Sequence, residues 1–263
     1  MAAKKNDCFL PFIHADWPAP AHIHAVVTTR AGGVSLAPWD SLNLGAHVGD
    51  DPAHVRENRQ RLLSALRKTA CCETPQWLDQ VHGTAIIEAE NDADKRRLWV
   101  PEADAVTATQ QDVPCVVMMA DCLPVFFCDS KGSRVAVAHA GWRGLCHGVL
   151  ESTLETFRDP ADVMAWLGPA IGPEKFEVGV DVRAAFLQRD SAAESAFVPG
   201  LNKGRWRADI YALAHRRLQL SGIGSVHGGG FCTVTDSARF YSYRRDGCTG
   251  RMAAVIWRSM PSG

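Results

Sequence analysis

The chain has 263 residues, 46% hydrophobic and 22% charged, with a net charge of −1 and a pI near 6.8. That length allows one large domain or two small ones, and burial of roughly three-quarters of the chain's surface. The charge balance leaves no electrostatic footprint for nucleic acid or an anionic membrane, and no apolar run approaches the ~20 residues that span a bilayer.

The opening stretch, MAAKKNDCFLPFIHADWPAP, carries a short apolar run broken by Pro11 and lacks the apolar region of a signal peptide. HAVVTTRAGGVS (24–35) reads as a strand running into a glycine loop. Asp51-Pro52 then opens a helix as N-cap and first helical residue, with Val55, Leu62 and Leu66 on one face. Strands are predicted at 84–90, 113–121, 124–129 and 134–140, several nearly all apolar, as fits strands covered on both faces. A helix is expected at about 145–158, a buried strand in VMAWLGPAI (163–171) ended by Gly168-Pro169, helices near 181–189 and 208–221, and a closing strand at 252–258. Strands and helices mix without strict alternation. The reading is therefore an α+β fold, one domain over 1–263, of layered mixed β-sheets flanked by helices.

Nine cysteines are an odd number at irregular spacings, without a C-x-x-C pair. They read as small thiols in a reducing cytosol, with Cys115 and Cys128 buried, and the expectation is a cytoplasmic protein without disulfides.

His139 closes an apolar strand where another apolar residue is expected. The sequence from Met118 to Trp142 reads as two strands joined by the turn DSKGS. A turn centred on Ser130 and Lys131 puts Cys122 opposite His139, close enough for both to bind one metal ion. A thiolate with an imidazole favours zinc or copper, and a catalytic zinc takes three protein ligands and one open position. His82, in WLDQVHG just before a strand, is the best third ligand, with Asp79 and Asp121 as candidates to orient the set. His147 and His215 read as helix-surface or core histidines. HGGG (227–230) reads as a turn, since the chain has no G-x-S-x-G elbow. The glycines of RAGGVS make a turn or expose N–H groups to an anion; Arg244 and Arg245 are anion ligands or surface charges.

TTRAGGVS, SLNLGAHVGDD, VRENR, WLDQVHG, ADAVTA, ADCLPVFF, HAGWRGL, GPAIGPEKFEVG and FYSYRRDGCTGR stand in one order along the chain. In that order they resemble the YfiH-like, laccase-domain family, also called purine nucleoside phosphorylases of the polyphenol-oxidase type. The resemblance implies an α+β layered fold shared with the catalytic domain of a cysteine-dependent bacterial toxin. It implies zinc, or copper in older descriptions, on His82, Cys122 and His139. It also implies phosphorolysis of adenosine, inosine and methylthioadenosine, with adenosine deamination.

Two rival activities accompany the family. One is a copper-dependent polyphenol oxidase, which needs more histidines than one trio supplies. The other is a cytoplasmic peptidoglycan-editing amidase using Cys122 as nucleophile. For phosphorolysis, Arg30 in the glycine loop and Arg143 beside His139 are the cations expected to meet phosphate. Arg143 has a buried ion pair as its alternative. Asn43 is either a ribose ligand or a backbone cap. The expected partners are purine nucleosides and phosphate, with no nucleic acid and no membrane, for a monomer or homodimer.

Overall fold

A computed structural model of the protein describes residues 10–70 and 72–260. Its strands are β1 (Phe12–His14), β2 (Ile23–Thr28), β3 (Ile86–Glu88), β4 (Ala105–Ala108), β5 (Cys115–Met119), β6 (Leu123–Asp129) and β7 (Val135–Ala140). β8 (Val163–Leu167), β9 (Glu177–Gly179), β10 (Phe197–Pro199), β11 (Arg205–Ala208), β12 (Ser225–Gly228) and β13 (Met252–Arg258) follow. The α-helices are α1 (Pro52–Thr69), α2 (Ala93–Leu98), α3 (Trp142–His147), α4 (Val149–Leu154), α5 (Val180–Arg189), α6 (Ile210–Leu220) and α7 (Tyr243–Asp246).

Two sheets form the centre. One has the order β1-β2-β13-β5 and is antiparallel throughout; the other, β12-β8-β6-β7-β4-β3, is mixed, with parallel pairs at both edges. A small sheet, β10-β11-β9, stands beside them. The layers follow from the period of two along each strand. In β5, Val116 and Met118 face α1, where Leu62 and Leu66 are fully buried. Cys115, Val117 and Met119 face the other way and meet Phe126, Val135 and Val137 of the six-stranded sheet. Val125, Phe127, Ala136 and Ala138 cover the outer face of that sheet, against Leu145 of α3, Val149 and Leu150 of α4 and Leu213 of α6. The order is helix, sheet, sheet, helix. Strands in its middle are covered on both faces, which is why they read as unbroken apolar runs.

The fold class is the expected α+β arrangement of layered mixed sheets with flanking helices. Asp51 caps α1 through the Ala53 N–H, and Val55, Leu62 and Leu66 face inward. Two expectations are corrected. The helix expected at about 145–158 is two helices, α3 and α4, broken at Gly148, whose φ of +109° suits glycine. The β6–β7 register pairs Pro124, not Cys122, with His139, two residues from the expected pairing. The reason lies in the loop. The Asp129 carboxylate accepts the N–H groups of Lys131, Ser133 and Arg134, and Gly132 adopts φ +62°, so a wider loop replaces the two-residue turn.

Candidate metal centre and its cavity

His139 ends β7, Cys122 lies one residue before β6, and His82 precedes β3 on the loop after Gln80. Despite the changed register, one nitrogen or sulfur from each residue falls within 4.8 Å of the others, and this is the one group of that kind among the described residues. Cys122 Sγ and His82 Nε2 are 3.7 Å apart. Zinc–sulfur and zinc–nitrogen bonds at a tetrahedral angle separate two such donors by roughly 3.6 Å, so the residues fit one zinc ion. His139 is buried, Cys122 half-buried and His82 exposed, so the group opens to solvent on one side.

The residue that organises the group is Asp104, just before β4. Its buried carboxylate accepts a hydrogen bond from His139 Nδ1 at 2.8 Å, leaving His139 Nε2 for the metal side. It also accepts the backbone N–H groups of Val81, His82 and Gly83 at 3.2, 3.0 and 2.5 Å. These bonds hold His82 at φ +61°, a conformation that costs a non-glycine residue about 1–3 kcal/mol. Asp79 and Asp121, the expected orienting residues, bond to none of the three. Asp121 instead accepts from Thr233 Oγ1 and the Arg244 N–H, tying the loop before α7 to the strand end. Nothing in the local sequence separates Asp104 from any other aspartate; only its place at the head of a strand beside β7 makes it an orienter.

Two glycines of HAGWRG let the segments close. A Cβ at Gly141 would stand 2.7 Å from His82 Cδ2 and 3.0 Å from Cys122 Sγ; one at Gly144 would stand 2.8 Å from the Gly83 carbonyl.

Burial pushes the Cys122 thiol up. The charge of His139 beside it, with hydrogen bonds from His139 and His82, outweighs burial and brings it down to about 6. Burial pushes His139 down, but the Cys122 thiolate and Asp104 raise it to about 9. By contrast, burial, with the neighbouring Asp129 charge, lifts Cys128 to about 12. Cys115 and Cys128 are buried as expected, and no disulfide joins any described cysteines.

The three donors line a cavity of about 410 Å³ with Met118, Met119 and Ala120 of the facing sheet. His47, Gln80, Tyr243 and Arg251 complete its wall, none of them singled out in the sequence. Gln80 is fixed by a pair of hydrogen bonds with the Met118 backbone.

The expected substrate residues stand elsewhere or are occupied. Arg30 lines a separate hollow with Asp40, Ser41 and Ser237, where its guanidinium bonds to Asp40 and the Ser237 carbonyl. Arg143 is exposed and stacked on the Trp142 ring at 4.4 Å, in no ion pair among the described residues. Asn43 is fully buried, and its amide is spent inside the protein. It donates to Gly45 O and Asp50, and accepts from the N–H groups of Gly45 and Arg251. The close approach of Gly33 to the Ser41 backbone explains a glycine of RAGGVS as a turn.

Arg244 and Arg245 donate to backbone carbonyls and, for Arg245, to Asp246. His147 and His215 are exposed on helices. The turn expected over HGGG is corrected, since His227 and Gly228 end β12 beside β8, while Gly228, Gly229 and Gly230 all take positive φ as the chain leaves the strand. Among the described residues, no helix is long and apolar enough to cross a membrane.

The comparisons agree over almost the whole chain. The family model described as multi-copper polyphenol oxidoreductase laccase matches residues 24–259. A Pseudomonas aeruginosa protein named purine nucleoside phosphorylase is 56% identical over 243 residues, covering 92% of this chain and 96% of its own. The purine nucleoside phosphorylase YfiH of Escherichia coli K12 is 51% identical, with the same coverage. The crystal structure of a Neisseria meningitidis protein, 46% identical, superposes with a TM-score of 0.87 over 94% of this chain and 99% of its own. That of Bacillus licheniformis YfiH, 29% identical, gives 0.84 over 90% and 93%. The chain belongs to the YfiH-like, laccase-domain family.

Proposed function

We propose that the protein is a zinc-dependent purine nucleoside phosphorylase, with His82, Cys122 and His139 holding one zinc ion. The observation that carries this reading is the convergence of the three donors on one open cavity, in a chain whose relatives at 51–56% identity bear the phosphorylase name. The donor set favours one zinc over several coppers, since the described residues contain one such group.

Zinc held there supplies a Lewis acid beside the substrate. The residues do the rest. Asp104 keeps His139 in one tautomer and fixes the backbone of His82. Tyr243, exposed at the rim, offers an aromatic face to a purine. In the reaction a phosphate oxygen bonds to C1′ as the C1′–N9 bond breaks. The bonding pair leaves with the purine, which takes up the phosphate proton, giving ribose 1-phosphate and free base. Adenosine, inosine and methylthioadenosine are the proposed substrates. Adenosine deamination, with water in place of phosphate, is proposed as a side activity of the same site in a cytoplasmic enzyme.

A second reading is favoured by one arrangement. Cys122 Sγ lies within 4.8 Å of a His139 ring nitrogen, and His139 Nδ1 bonds to Asp104, the order of a Cys-His-Asp hydrolase, which would serve the peptidoglycan-editing amidase. A thiolate cannot be both a zinc ligand and a free nucleophile, so zinc separates the two.

The test is metal analysis of purified protein together with product analysis on inosine, with and without phosphate. We expect about one zinc per chain, and hypoxanthine with ribose 1-phosphate only when phosphate is present. Equal hypoxanthine release without phosphate would overturn the phosphorylase reading. Hydrolysis of an amide substrate that zinc inhibits would put the thiol enzyme in its place.

A further inference from the structure

We propose that Arg251, from the C-terminal motif and not from the glycine loop, is the residue that grips phosphate in the cavity. The inference rests on the phosphorolytic reading and names the anion subsite of that same site.

A phosphate approaching the Cys122 sulfur needs a fixed positive charge facing it. Arg30 bonds to Asp40 and Ser237 in a separate hollow, and Arg143 stacks on Trp142 outside the cavity wall. Arg59 directs Nε and one terminal nitrogen at the Leu44 carbonyl and lies over Trp77 at 3.9 Å. The guanidinium in the cavity wall is that of Arg251.

Its position is built from both ends. The backbone N–H of Arg251 donates to Asn43 Oδ1 at 2.9 Å, and its carbonyl accepts from the Leu44 N–H at 3.1 Å. Its stem runs against Gly45, where a Cβ would come within 2.8 Å of Arg251 Cγ. One terminal nitrogen, NH1, donates to the carbonyls of Thr249 and Gly250 at 3.0 and 3.1 Å. That leaves Nε and the other terminal nitrogen without a protein acceptor among the described residues. Two N–H groups on one edge of a guanidinium match two phosphate oxygens. His47 lines the same cavity. Arg251 thus binds the nucleophile of the reaction while Tyr243 faces the base.

The experiment compares Arg251→Gln and Arg251→Lys with the wild-type protein, measuring KM for phosphate and for inosine separately, zinc content and melting temperature. Loss of a charge-assisted pair should raise phosphate KM roughly ten- to a hundredfold in Arg251→Gln. Inosine KM should move less than about threefold and zinc content should hold, with partial recovery in Arg251→Lys. A purely structural role would lower kcat and stability without singling out phosphate.

If the variants do not fold, the wild-type protein suffices. Phenylglyoxal should modify Arg251, and inorganic phosphate should protect it, as mapped by mass spectrometry. An unchanged phosphate KM in a folded Arg251→Gln, or no protection by phosphate, overturns the inference. Phosphate-independent base release with protection of Arg251 intact would remove the phosphorylase reading and leave the anion subsite standing.

Discussion

One carboxylate sets two histidines at once: Asp104 accepts from His139 Nδ1 at 2.8 Å and from the His82 N–H at 3.0 Å. The two residues come from separate segments, β7 and the loop before β3, and the bond across them makes their imidazoles neighbours, with ring centroids 4.9 Å apart. Asp104 is therefore expected to matter more for the metal than for the fold's outline.

Asp104→Ala should weaken zinc binding about ten- to a hundredfold, as for removal of an orienting partner behind a metal-bound histidine. It also leaves His139 Nδ1 and three backbone N–H groups without their acceptor, at about 1–3 kcal/mol for each that stays buried. Chelator competition and urea unfolding measure the two effects. Unchanged zinc affinity would show that His139 needs no orienter.

Cys122→Ala should lose most of the zinc and keep the fold, because Cys122 is a half-buried residue ahead of β6 and the core contacts beside it remain. In the metal-free wild-type protein, iodoacetamide should label Cys122, and added zinc should block that reaction while the exposed Cys248 continues to react. Full zinc occupancy in Cys122→Ala would sink the ligand assignment.

Gly141→Ala tests the closeness of the donors. The new methyl meets the ends of two side chains, not backbone, so the chain should fold at a cost of about 1–3 kcal/mol. His82 and Cys122 must part to admit it, so zinc should bind more weakly than in the wild type. Zinc occupancy at micromolar free metal is the readout; wild-type occupancy would mean the donors have more room than the 3.7 Å separation suggests.

Asn43→Ala should destabilise strongly for a loop residue. The buried amide joins Asp50, Gly45 and the Arg251 backbone, and Asn58 of α1, which accepts the Val34 N–H and donates to Ser35, donates also to the Asn43 backbone carbonyl. Its loss leaves several buried partners unpaired, roughly 2–4 kcal/mol in total. Phosphate KM should rise as well, through the displaced Arg251. A melting temperature within 1–2 °C of wild type would exclude this role; for a chain of this size ~1 kcal/mol shifts the midpoint by only about 2–4 °C.

Much of the architecture was legible because the middle layers impose it on the residues. Runs such as VFF (125–127) and VAVA (135–138) are apolar throughout since both faces are covered, and Asp51-Pro52 announces α1 by capping chemistry alone. The trio His82, Cys122 and His139 was legible because donor chemistry is a property of residue type. The route to it was not: Cys122 sits outside the hairpin register, because the Asp129 side chain reorganised the turn. Asp104 escaped notice, as an aspartate becomes an orienter only through what folds against it. Which arginine lines the cavity was not legible, for the same reason. Arg30 and Arg251 look alike in sequence, and only the fold reveals that one is committed to Asp40 while the other lines the cavity.

The cavity lies on the seam of the sandwich. Its donors flank strands of the six-stranded sheet, while Met118, Met119 and Arg251 belong to or adjoin strands of the four-stranded one. The distance from the three donors to the Arg251 guanidinium is thus a measure of how the two sheets are aligned. A small slip between layers would mistune the site with every residue in it intact, and core residues such as Phe126 and Val117, far from any substrate, act as its alignment pins.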